Sequence, residues 1–180
     1  IDWVFNSDFP IAKKEIDLNK IMLIGHSRGG GVSLIQAAND ERISCMATWA
    51  AVATLDRFGT RDEIENWKEE GFKYIQNGRT KQSMPMYLDI YEDFQKNKNK
   101  LDIEIACQKM QKPLLVIHGK EDKAVGHSHA LRIHSWSKNS ELVLLESANH
   151  VFGAQHPWKE DKMPQDLDEI VQKTIDFFKI

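Results

Sequence analysis

Between Ile21 and Gly31 the chain reads Ile-Met-Leu-Ile-Gly-His-Ser-Arg-Gly-Gly-Gly, and few folds accommodate that order. An apolar run with strand character enters Gly-x-Ser-x-Gly directly, and Val32 to Ala38 read as a helix. Strand, sharp turn and helix are compressed into one segment. The turn is expected to hold Ser27 in a strained conformation, with small neighbours at Gly25 and Gly29 letting the two arms approach without a Cβ clash. The Ser27 hydroxyl then projects beyond the strand end. The backbone N–H of Arg28 faces the same space from the positive end of the helix, placed to stabilise a developing oxyanion.

Two later segments complete a pattern. His118-Gly119-x-x-Asp122-x-x-Val125 follows the apolar run 113–117, and Asn149-His150 follows the apolar run 141–145. The three segments, in the order Ser, Asp, His and each at the end of an expected strand, resemble the nucleophile, acid and base segments of the α/β-hydrolase superfamily. The resemblance runs from about Leu18 to the end of the chain, with a variable insertion in the middle. It implies a largely parallel sheet flanked by helices, Ser27 as nucleophile, His150 as base, Asp122 as acid and Arg28 N–H as one oxyanion-hole donor. Asn77-Gly78-Arg79-Thr80 and Asn149-His150-x-Phe152-Gly153, with His156-Pro157-Trp158 beyond, are similar to dienelactone-hydrolase-like and peptidase-like members.

With 180 residues the chain can bury one sizeable core, so a single domain is expected over 1–180. Its net charge of −3, with both signs interspersed, offers no footprint for nucleic acid or a polybasic membrane surface. Cys45 lies in an apolar stretch and Cys107 in an expected helix, where buried free thiols are commoner than a disulfide. No apolar run approaches the roughly 20 residues of a membrane span, and no signal peptide is visible. The expected compartment is the cytoplasm, although a chain beginning at Ile1 leaves room for a removed leader.

The segment before the elbow is short for the resemblance. Asp2 to Phe5 reads as the end of a helix, broken at Asp8-Phe9-Pro10. The strands and helices that precede the elbow in complete relatives, with the second oxyanion-hole donor, are not in this sequence. The chain therefore reads as the C-terminal part of a longer protein. Its elbow strand should expose an apolar edge, able to associate with the absent N-terminal segment or with a second copy.

After a polar turn at Asn39 to Arg42, residues 43–52 read as a parallel strand covered on both faces, hence central. Residues 56–112 depart from strand-helix alternation and read as a cap insertion. It comprises a charged helix over 61–70 ending at Gly71, a strand over 72–76, an Asn77-Gly78 hairpin turn with a return over 79–82, and one or two helices from Met86 to Met110. Met84, Met86 and Tyr87 read first as packing residues, with lining of a substrate pocket as the alternative. The basic run Lys96 to Lys100 reads as a solvated helix end.

Pro113 opens the next strand. Asp122 is preferred over Glu121 as acid because it fits Gly-x-x-Asp-x-x-Val; its alternative role is N-cap of a helix expected over about 124–137. His150 follows the last strand, 141–146. Of the other histidines, His26 is expected to pack beneath the elbow, His118 to support the acid loop, and His156 to be structural or supportive. His127-Ser128-His129 alternates as zinc ligands can, but lies at an expected helix start without a third ligand, so no metal site is assigned. No cofactor is implied. Leu167, Ile170, Val171, Ile175 and Phe178 mark a closing amphipathic helix from Pro164 onward.

The expected function is a serine hydrolase cleaving a carboxylic ester or related acyl bond of a small molecule through an acyl-enzyme. The alternatives are a serine aminopeptidase-like enzyme, for which no amine-recognising group stands out, and a non-catalytic hydrolase-like binding module.

Overall fold

The computed structural model describes residues 1–6, 15–77 and 80–179. The expected break at Asp8-Phe9-Pro10, and Gly78 and Arg79 of the expected hairpin turn and return, lie outside the described residues. The elements run α1 (Asp2–Phe5), β1 (Ile21–His26), α2 (Ser27–Asn39), β2 (Ile43–Trp49), α3 (Arg61–Glu70), β3 (Phe72–Gln76), β4 (Ser83–Tyr87), α4 (Asp89–Lys96), α5 (Ile103–Lys109), β5 (Leu114–Gly119), α6 (Ser128–Trp136), β6 (Ser140–Leu145) and α7 (Gln165–Phe178).

β1, β2, β5 and β6 form one sheet in that order, every pairing parallel. Alternation along the strands divides the core in two. Met46, Leu114 and Val116 face α2, α5 and α6, whereas Ala47, Leu115 and Ile117 face α7 through Ile170 and Phe177. Burial on both faces explains why β5 is apolar almost throughout, as parallel strands between helix layers are. The expected central position of residues 43–52 holds, β2 lying between β1 and β5. Among the described residues β1 pairs with β2 alone, and Ile24 is half exposed on this free margin.

The segment between β2 and β5 is anchored by an aromatic cluster. Phe58 meets Trp67, Tyr91 and Phe94 with ring centroids 5.1–6.2 Å apart. Trp67 donates its indole N–H to Met86 O at 3.1 Å. Helix α3 ends as expected at Gly71, whose φ of 75° suits glycine, and begins with a Thr60–Glu63 capping box. Met86 packs on this core, while Met84 and Tyr87 are exposed.

The hairpin departs from expectation. The described part of its expected return, residues 80–82, is not strand: β4 begins at Ser83, with Asn77 Oδ1 accepting from Thr80 N and Asn77 O from Lys81 N. Met86 therefore sits in β4, and the helices begin at Asp89 and Ile103. Both cysteines are free thiols. Among the described residues, no helix is long and apolar enough to cross a membrane.

Candidate active site

β1 delivers Ser27 at the first position of α2 with φ of 56°. That is left-handed backbone in a residue with a Cβ, a conformation costing on the order of 1–3 kcal/mol. It persists because both arms are pinned: Ser27 O accepts from Val52 N at 3.2 Å, and Gly25 and Gly30 lie against each other. A Cβ on Gly25 would stand 2.6 Å from Gly30 Cα, and one on Gly30 would stand 2.5 Å from Ala51 Cβ. Gly29, expected to share this role, faces open space. The close approach belongs to the next glycine along because α2 is already helical from Ser27 and turns residue 30 toward the sheet.

The acid loop follows β5. Asp122 Oδ1 accepts from the N–H groups of Ala124 and Val125, both at 2.8 Å, so the carboxylate ties down its own loop. These bonds, and the acceptance of a His118 N–H by Val125 O, hold residues 123–127 as a loop. Helix α6 therefore starts only at Ser128, not near residue 124, and Asp122 is not its N-cap. Asp122 Oδ2 points the other way and meets His150 Nδ1 at 2.7 Å.

The base loop follows β6. Asn149 Oδ1 accepts from Val151 N and Gly153 N, folding residues 149–153 into a compact turn around His150. The two loops are joined by Glu121 N donating to Ala148 O at 3.2 Å and by Gly119 lying so close to Ala148 that a Cβ has no room. His150 Nε2 then lies 3.0 Å from Ser27 Oγ. The partners assign the tautomer: Nδ1 carries the proton toward the carboxylate, and the Nε2 lone pair accepts from the serine hydroxyl.

Burial pushes the Asp122 carboxyl up, but bonds from Val125 N, His150 and Ala124 N outweigh it and hold the group below its ordinary value. It is ionised at neutral pH. His118 is fully buried; Nε2 lies 2.8 Å from Val125 O and 3.2 Å from Asp122 Oδ2, as its expected supporting role requires. Burial pushes its pKa down, so it is neutral with the proton on Nε2, and Nδ1 has no partner among the described residues.

His26 differs from expectation. As the last residue of an edge strand it is exposed rather than packed beneath the elbow; its Nε2 donates to His150 O at 2.8 Å, with the two rings 4.8 Å apart. His129 Nδ1 accepts from Ala53 N at 2.9 Å, fixing the loop after β2. Its pKa is lowered by burial and by the charges of Arg57 and Arg132. His156 is exposed. Arg57 was not singled out by the sequence, yet it donates Nη2–H to Ala124 O at 2.9 Å and borders the cleft in front of Ser27. That cleft, of about 320 Å³, is also lined by Arg28, Val52, Val125 and His150.

A parallel sheet between helix layers, with serine, aspartate and histidine meeting beyond the ends of β1, β5 and β6, defines an α/β hydrolase. The chain belongs to the prolyl oligopeptidase family, Peptidase_S9, which it matches over residues 2–168. It is similar to serine hydrolase BPHL of Homo sapiens, with 27% identity over 170 residues, 86% of this chain and 56% of the relative. The chain thus spans a little over half the length of that curated relative.

Solved structures share the fold. Est1E from Butyrivibrio proteoclasticus with ferulic acid bound has a TM-score of 0.68 at 19% identity, covering 93% of this chain and 62% of its own. Uncomplexed acylaminoacyl peptidase of Pyrococcus horikoshii has a TM-score of 0.59 at 13% identity, covering 92% and 25%. The esterase domain of a Rhodothermus marinus protein has a TM-score of 0.55 at 18% identity, covering 84% and 57%.

The elbow packing yields a paired test. Gly30→Ala should destabilise the protein by about 1–3 kcal/mol through overpacking, whereas Gly29→Ala should leave chemical stability unchanged or raise it by about 0.5–1 kcal/mol. Urea denaturation of both variants measures this, and equal costs would contradict the assignment.

The buried histidines set a pH dependence. His118 and His129 have folded values below the ordinary 6.5, so between those values the unfolded chain binds protons that the folded chain does not. Stability should rise with pH across that window, be fully present above about 6.5, and fall on acidification. Urea unfolding from about pH 8 to about pH 5 should show this slope, reduced in His118→Gln; a flat or inverted profile would contradict it.

Proposed function

We propose that this protein is a serine hydrolase that cleaves an ester or related acyl bond through a covalent acyl-enzyme. The observation that carries the reading is the unbroken chain of contacts from Ser27 Oγ to His150 Nε2 at 3.0 Å and from His150 Nδ1 to Asp122 Oδ2 at 2.7 Å. Ser27 Oγ attacks the substrate carbonyl carbon while its proton passes to His150 Nε2. The oxyanion so formed accepts a hydrogen bond from Arg28 N–H, in the first turn of α2, where backbone N–H groups have no intrahelical partner.

Collapse of the tetrahedral species breaks the bond to the leaving group, which takes the proton from His150. Water then attacks the acyl-enzyme, gives a proton to Nε2, and the acid departs with Ser27 Oγ–H restored. Asp122 remains ionised throughout, orienting the imidazole and stabilising the imidazolium. Membership of the prolyl oligopeptidase family favours peptide-bond cleavage as a second reading. For an aminopeptidase version, no carboxylate among the described residues lines the cleft to hold a free amine.

A fluorophosphonate probe and a p-nitrophenyl ester test this together. Ser27→Ala should abolish labelling and lower turnover by about 10⁴–10⁶-fold. Asp122→Asn should retain the fold and lose about 10³–10⁴-fold, because the imidazole loses its tautomer partner. Labelling away from Ser27, or undiminished turnover in either variant, would overturn the proposal.

A further inference from the structure

The cleft in front of Ser27 is cationic, although the chain as a whole carries a net charge of −3. Among the described residues its charged lining residues are Arg28 and Arg57, and no aspartate or glutamate lines it. Asp122, the carboxylate of the network, is buried behind His150 and committed to three donors. Neither guanidinium has a carboxylate partner among the described residues. Arg42 shows the contrast, holding both Asp40 and Asp2.

Arg57 is also held in place before any ligand arrives. Its backbone N–H donates to Leu55 O at 2.9 Å, and its Nη2 donates to Ala124 O on the acid loop. One of its five N–H donors is thereby used and the rest of the fork is available. A guanidinium fixed in this way loses little side-chain freedom on binding, and its planar edge matches a carboxylate. His129, the nearby imidazole, is kept neutral by burial and by the Arg57 charge itself, so it supplies no competing acceptor of negative charge. The volume of about 320 Å³ is at the small end for ligand sites, which keeps any group bound beside Ser27 near Arg57.

We infer that Arg57 forms an anion-recognising wall of the cleft and that the substrates are acyl compounds carrying a carboxylate a few bonds from the scissile carbonyl. This rests on the reading of Ser27 as the nucleophile for its catalytic meaning. The binding claim stands apart from turnover and is tested apart from it.

The binding arm uses the full chain with Ser27→Ala, titrated calorimetrically with monomethyl glutarate and with methyl valerate, which differ in the terminal carboxylate. The glutarate compound should bind at least about tenfold more tightly, with the advantage shrinking as sodium chloride is raised. Adding Arg57→Gln should remove the advantage, while Arg57→Lys, which keeps charge but not the fork, should retain part of it. Thermal unfolding of each variant confirms that it is folded.

The turnover arm compares mono-p-nitrophenyl glutarate with p-nitrophenyl valerate, placing the carboxylate on the acyl side, and 4-acetoxybenzoate with 4-acetoxybenzamide, placing it on the leaving group. A preference for the anion in either pair, lost in Arg57→Gln, supports the inference. Equal affinity of the two ligands for the Ser27→Ala protein overturns it even if both esters are hydrolysed. Absence of hydrolysis with selective glutarate binding overturns the hydrolase reading instead.

Discussion

The Asp122 carboxylate holds the site together. A buried carboxylate is costly unless it is hydrogen-bonded, and this one accepts from three donors, Ala124 N, Val125 N and His150 Nδ1, with His118 Nε2 a further 3.2 Å contact. Hydrogen bonds to a charged group contribute about 1.5–3 kcal/mol each, enough together to offset desolvation and keep the group ionised. The division of labour matters as much as the total. With Oδ1 occupied by its own loop, Oδ2 has one orientation, and the imidazole that meets it is fixed in tautomer and plane. The late start of α6 at Ser128 is the structural consequence of that commitment.

The sheet brings this carboxylate to the serine. In the parallel register His26 lies beside Trp49, Trp49 beside Ile117, and Gly119 beside Leu145. The carboxyl ends of β1, β2, β5 and β6 therefore finish at one margin, and the loops beyond them share a single space. Close backbone contact completes the alignment: Gly25 against Gly30 at the elbow, and Gly119 against Ala148 between the acid and base loops. The free margin of β1 lies on the far side of Ser27 from Asp122, which is why the three side chains meet without any further strand being needed among the described residues.

Much of this was legible because it is written in local patterns. Apolar runs ending in Gly-x-Ser-x-Gly, in His-Gly-x-x-Asp and in Asn-His place strands and the loops beyond them, and those loops bring Ser27, His150 and Asp122 within hydrogen-bond reach. What escaped depends on contacts between distant segments. Whether Gly29 or Gly30 meets Gly25 turns on the rotation of α2 over Ala51. His26, expected beneath the elbow as its first variable residue, ends a strand that among the described residues is an edge, where its side chain is free to reach His150 O. Arg57 sits in a polar stretch with no periodicity, and its place beside the cleft follows from Ala124 O, 67 positions away. The Asn77 turn failed for a local reason, its side chain accepting from Thr80 N.

The relay between Ser27, His150 and Asp122 is the central claim, and proton NMR of ¹⁵N-histidine-labelled protein addresses it most directly. The account predicts a low-field, exchange-protected N–H resonance on His150 Nδ1 that disappears in Asp122→Ala while an Nε2-protonated signal from His118 persists. A His150 ring protonated on Nε2 at neutral pH, or an Nδ1–H signal unchanged by removal of the Asp122 carboxylate, would contradict it.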